Sequence, residues 1–78
     1  MSAFIMTKIL ELYFPAGGVI ADLTYGKGNF WRQLDKKKYM LLASDLVPKA
    51  AHVKEWDFRS TQLPYPEEHC DMVVLDPF

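Results

Sequence analysis

VIADLTYGKGNFW, running from Val19 to Trp31, joins a strand, a tight turn and the start of a helix in one short stretch. Val19, Ile20, Ala21 and Leu23 form an apolar run of the kind a parallel strand shows when both faces are covered. Asp22 interrupts the run near its end. Gly26 and Gly28 follow, one residue apart, and then Phe30, Trp31 and Leu34 at helical spacing, which predicts a helix from about Gly28 to Asp35. A strand that delivers a carboxylate and bare backbone to the mouth of a parallel sheet is a site of the nucleotide-cofactor type.

Upstream, Ser2 to Phe14 is expected to be an amphipathic helix capped by Ser2, with Ile5, Ile9 and Leu12 on one face. Pro15 ends it, because the residue before a proline is pushed out of the helical region. Lys8 and Tyr13 on this helix are read as a solvated cation and a half-buried ring. Downstream, Lys36, Lys37 and Lys38 are read as exposed cations at a helix C-terminus, with a phosphate or nucleic-acid patch as the other reading.

Tyr39 to Ser44 is a second strand, with Asp45 at its end. Pro48 to Ala51 is read as a helical turn and Val53 to Trp56 as a weak third strand ending at Asp57 and Phe58. A polar loop carrying Pro64 and Pro66 precedes a fourth strand, Met72 to Leu75, and then Asp76, Pro77 and Phe78. Helix, then strands alternating with short crossovers, predicts an α/β fold: a partial Rossmann-like parallel sheet of about four strands behind an N-terminal helix.

The 78 residues make one domain, 1–78, and a small one for this architecture. The sheet is therefore expected to be completed by dimerisation, or the chain to be part of a longer one. Half the residues are hydrophobic, so the composition is globular. A formal net charge of -1 excludes a whole-domain nucleic-acid footprint, leaving room only for a local one. The single cysteine, Cys70, rules out an internal disulfide and a thiolate metal cage, and fits a cytoplasmic compartment. No membrane segment and no metal site are expected. His52, His69 and Trp56 are read as surface histidines and a packed tryptophan.

The acids carry the functional reading. Asp22, Asp45, Asp57 and Asp76 lie at or near successive strand ends, where a doubly wound sheet holds its ligand. Gly26 and Gly28 let the backbone approach a ligand where a Cβ would collide. Asp45 follows Gly26 by 19 positions, the spacing of an acid that accepts from ribose hydroxyls. Asp57 can accept from an exocyclic amino group, with Phe58 covering a flat base. A dinucleotide fingerprint would need a third glycine where Trp31 stands, and the phosphate-loop ending is absent. Those absences weigh against a nicotinamide or flavin domain. A cofactor with ribose and adenine but no phosphate, S-adenosylmethionine, suits the pattern.

With these residues in view, the chain resembles the class I S-adenosylmethionine-dependent methyltransferases, and within them the branch that methylates amino groups of adenine or cytosine in nucleic acid. Asp22 to Phe30 is similar to the family's first motif, Ser44-Asp45-Leu46 to its ribose-binding acid, and Trp56-Asp57-Phe58 to its adenine contact. Met72 to Phe78 resembles the strand and Asp-Pro-Pro-Tyr/Phe tetrapeptide that follow, one proline short. The resemblance implies cofactor-binding roles for Asp22, Thr24, Gly26, Gly28, Asp45, Leu46, Asp57 and Phe58. It implies catalytic roles for Asp76, Pro77 and Phe78, which would aim a flipped base's amine at the sulfonium methyl. The implied substrate is nucleic acid, most specifically adenine N6 of DNA. The shortened tetrapeptide shifts its aromatic by ~3.3–3.6 Å, and the piece alone is expected to be a poor catalyst. The competing expectation is an inactive remnant that serves as a dimeric binding module, associating through the fourth strand's edge.

Overall fold

The computed structural model describes residues 3–57, 59–60 and 62–75. One helix, α1 (Ala3–Tyr13), precedes four strands, β1 (Gly18–Asp22), β2 (Tyr39–Asp45), β3 (Lys54–Glu55) and β4 (Met72–Val74). The strands form one parallel sheet in the order β3-β2-β1-β4. This is the α/β, partial Rossmann-like arrangement read from the sequence. β1 is central, paired with β2 from Gly18↔Tyr39 to Asp22↔Ala43 and with β4 from Ile20↔Met72 to Asp22↔Val74. All four strands run the same way, so their carboxyl ends share one end of the sheet.

The register fixes the faces. Ile20, Leu41 and Met72 are aligned partners and share one face, while Ala21, Leu42 and Val73 share the other. The first face carries the core, in which Met6 and Leu10 of α1 cluster with Ile20, Trp31 and Tyr39. Each such side chain, fully buried, contributes ~1.5–3 kcal/mol. Tyr39 places its ring in that core and donates its hydroxyl to the Phe14 carbonyl at 2.7 Å, tying the end of α1 to the start of β2. The second face is less covered: Met40 is 61% exposed and Val73 47%.

Several local expectations need correction. The buried stripe of α1 is Ala3, Met6 and Leu10, whereas Ile5 and Leu12 are exposed. Apolar residues surround this helix, so the tertiary partner Trp31 selects the stripe. Tyr13 is exposed rather than half-buried, and the Ser2 cap lies outside the described residues. The helix expected over Gly28 to Asp35 is a single 3-10 turn, Asn29–Trp31. Asp35 instead begins a turn, its side chain accepting from the Lys37 amide at 3.0 Å and its carbonyl from the Tyr39 amide at 2.9 Å. Lys36, Lys37 and Lys38 therefore sit on that turn and gain nothing from a helix dipole. Pro48 to Ala51 forms no helical turn, and β3 covers only two residues of the expected third strand.

Candidate functional site

Asp22 ends β1 with its side chain 1% exposed, and both carboxylate oxygens are used inside the fold. The Trp31 indole donates to one at 2.6 Å, and the Thr24 amide donates to the other at 2.9 Å. The Thr24 hydroxyl lies 3.4 Å from that second oxygen. Burial pushes the Asp22 carboxyl above its ordinary range, against these hydrogen bonds, which favour the ionised form; the nearby charge of Asp45 adds to the upward push. Asp22 is thus a brace between strand, turn and core. Trp31 occupies the position of a missing third glycine because its ring fills the core while its N–H needs an acceptor there.

Beyond Asp22 the chain turns through Thr24 to Gly28. Gly28 has φ +78°, and a Cβ there would strike the Tyr25 ring, which folds beneath it. Gly26 has φ +60° and faces open space, with no atom of the described residues beyond its two chain neighbours within 4 Å of where its Cβ would lie. The two glycines therefore differ: Gly28 makes room for the protein's own tyrosine, and Gly26 presents bare backbone outward. Asp45, at the end of β2, accepts from the Gly26 amide at 2.6 Å through one oxygen and from the Val47 amide at 3.2 Å through the other. The acid read from its spacing as a ribose acceptor is thus in direct contact with the glycine turn itself. Leu46 follows it, partly exposed.

Asp57 differs from the expectation of an open acceptor. Its carboxylate is gripped by Arg59, whose Nη2 lies 2.7 Å away and whose backbone amide donates at 2.9 Å. These hydrogen bonds hold the Asp57 carboxyl at about 2, well below the usual carboxylate range. Its neighbour Trp56 is anchored on both sides, its amide donating to the Asp45 carbonyl at 2.8 Å and its indole to the Gln62 carbonyl at 2.9 Å. Phe58, Asp76, Pro77 and Phe78 lie outside the described residues. The structure thus brings together Asp22, Thr24, Gly26, Gly28 and Asp45 at one end of the sheet. Asp57 continues from that end but is engaged with its own loop.

Sequence reading missed Tyr25 and His52. The His52 ring nitrogen lies 3.3 Å from the Tyr25 hydroxyl, and the rings meet edge to face at 5.3 Å. These residues, with Lys27 and Gly28, border a cavity of about 820 Å³ that extends along β2 to Lys36, Lys37 and Lys38. Asp22, Asp45 and Asp57 do not line it. Its only sequence signal was the basic triplet. Cys70 is partly buried, and burial pushes its thiol above the ordinary value. Among the described residues no group of three or more His, Cys, Asp or Glu is placed to hold a metal ion, and no helix is long and apolar enough to cross a membrane.

The residues present fit an adenosyl cofactor in part. Open space at Gly26 and an acid with an additional lone pair on each oxygen suit a ribose diol. Asp22 and Asp57 offer less, being committed to Trp31, Thr24 and Arg59. Comparison with family models, curated proteins and solved structures finds no match to this chain.

Proposed function

We propose that this chain is the S-adenosylmethionine-binding part of a nucleic-acid amino-methyltransferase, with adenine N6 of DNA as the target. The observation that carries the reading is the meeting of the Gly26 amide and the Asp45 carboxylate at 2.6 Å, before open space at the carboxyl end of a parallel sheet. In such sheets that end is where ligands bind. Asp45 would accept from the ribose hydroxyls, Gly26 would let the cofactor lie against the backbone, and Leu46 would flank the sugar. Asp22 holds the turn in shape through Trp31 and Thr24. When bound, the cofactor supplies an electrophilic methyl group; Asp76, Pro77 and Phe78 are proposed to orient the accepting amine.

Calorimetry with S-adenosylhomocysteine tests the reading. Binding is expected in the wild-type chain. A hydrogen bond to a charged acceptor contributes ~1.5–3 kcal/mol, so Asp45→Asn should weaken binding by roughly 10- to 100-fold. Stabilisation by NADH with none by S-adenosylhomocysteine would overturn it.

A second reading has its own support. β4 is an edge strand, and Val73 and Leu75 beside it are about half exposed. An apolar edge of this kind invites pairing with a second copy, as expected of an inactive dimeric module. Light scattering together with methylation assays on DNA and RNA separates the two readings.

A further inference from the structure

The cavity along β2 has walls of one sign. Lys27, Arg32, Lys36, Lys37 and Lys38 line it, five of the chain's nine Lys and Arg, and no Asp or Glu among the described residues does. This concentration occurs in a chain whose formal net charge is -1. Among the described residues none of the five makes an ion pair, although Lys8 pairs with Glu11 and Arg59 with Asp57 elsewhere. Asp35, the nearest acid in sequence, directs one carboxylate oxygen to the Lys37 backbone amide and lies outside the lining. Unpaired cations facing a shared concavity raise its potential and draw anions to it.

The cations are also spread out. Lys38 immediately precedes β2, and its carbonyl accepts from Gly18 at the start of β1. Lys27 lies in the turn beyond β1, beside Gly26, which meets Asp45 at the end of β2. Seven residues of strand separate the two groups, ~20 Å at the usual rise. A single phosphate cannot engage both ends at once; an extended chain of phosphates can. The floor between them carries Trp31, Leu34, Tyr39 and Leu41, and the Lys27 end carries the Tyr25 and His52 rings. Cations along a backbone track with aromatic rings beside it are the features that bind single-stranded nucleic acid.

We propose that this groove is a binding track for the phosphate backbone of a single nucleic-acid strand. It is separate from the Asp45–Gly26 end and runs towards it. The choice of nucleic acid over other extended polyanions rests partly on the methyltransferase reading; the groove's charge and shape do not.

The test is fluorescence anisotropy of a labelled single-stranded DNA of mixed sequence, titrated with the full chain. With three to five phosphate contacts, affinity should fall by about 20- to 100-fold between about 50 and about 200 mM salt. The double variant Lys36→Gln/Lys37→Gln should bind at least about tenfold more weakly and reduce the salt slope by about 1.4. Lys8→Gln/Lys49→Gln removes the same charge elsewhere and should bind as wild type. Equal weakening by both pairs, or by neither, overturns the track. So does competition by ATP as strong, per phosphate, as that of an unlabelled strand, because a mononucleotide site would then suffice. Should the groove variant fail to fold, acetylation of the wild-type chain decides: the strand should protect Lys36, Lys37 and Lys38 but not Lys8 or Lys49. Thermal shift with S-adenosylhomocysteine on the same samples keeps the two proposals apart. A strand that binds the groove in a chain with no cofactor shift leaves the track standing and removes the methyltransferase.

Discussion

Asp22 and Asp57 are acids at or just past the carboxyl ends of parallel strands, and their surroundings are opposite. Asp22 is sealed in the core and accepts from Trp31 and Thr24. Asp57 is partly exposed and accepts from Arg59, two residues along its own loop. Burial raises the first carboxyl; hydrogen bonds from a guanidinium and an amide lower the second to about 2. The lesson is that a strand-end position does not assign an acid its role. What matters is whether the core seals the acid in or leaves it at the surface. Asp45 joins a contact from the glycine turn to an open approach.

The largest effects should come from the sealed member. Trp31→Ala removes a core side chain, costing ~3–5 kcal/mol. Asp22→Ala strands the Trp31 indole and the Thr24 amide, costing about 3 kcal/mol. Against a total stability of roughly 4–12 kcal/mol for a chain of this size, either change should move the urea midpoint far, or unfold the chain. The double variant should show coupling of about 0.5–3 kcal/mol; strict additivity would mean that the brace does not operate as a pair.

Gly28→Ala comes next. It forces a side chain into a left-handed conformation and against the Tyr25 ring, at ~1–2 kcal/mol. Gly26→Ala has the same backbone problem without the collision, so the contrast between the two isolates the Tyr25 contact. Equal losses in thermal melts would show that Tyr25 moves aside freely.

The pH dependence sharpens the comparison through its sign. The folded chain holds the Asp22 proton more tightly than the unfolded chain does. Its contribution is therefore fully present below the unfolded value near 3.9 and is lost as pH rises through the raised folded value. Denaturant midpoints followed upward from pH ~4 should fall in the wild type relative to Asp22→Asn. Asp57 runs the other way: its contribution is present above the unfolded value and disappears as pH falls towards about 2. The smallest effect is on this exposed pair. Arg59→Gln should leave stability nearly unchanged, as surface pairs do, while an NMR titration finds Asp57 raised towards its ordinary value, the backbone amide at position 59 still donating. An unmoved titration would mean that Arg59 is not the cause.

Much of the sheet was legible because β1 and β2 carry continuous apolar runs of the kind a covered parallel strand needs, even though Met40 on the second face of β2 is exposed. The spacing of Gly26 and Asp45 was legible as that of a ribose-type acid, but their direct contact was not. Other features depend on partners far along the chain. Apolar residues wrap α1, so its own pattern could not show that Met6 and Leu10, rather than Ile5 and Leu12, face Trp31. The helix after Gly28 stops after one turn, and Asp35 uses its side chain to start a turn instead. The engagement of Asp57 by Arg59 needed only two residues of context, yet no periodicity records it. The basic groove was half visible: Lys36 to Lys38 stood out as a triplet, but Lys27 and Arg32 join them only once the chain folds back over β2.

The short bond from the Gly26 amide to Asp45 latches the glycine turn to the end of β2. A diol approaching that carboxylate must share an oxygen whose best direction is taken, or loosen the latch to enter. Loosening it would free the segment leading to Lys27 and Gly28. On the proposed cofactor reading, occupation of that end of the sheet would change the shape of the basic channel beside it, with no moving part larger than a single turn of backbone.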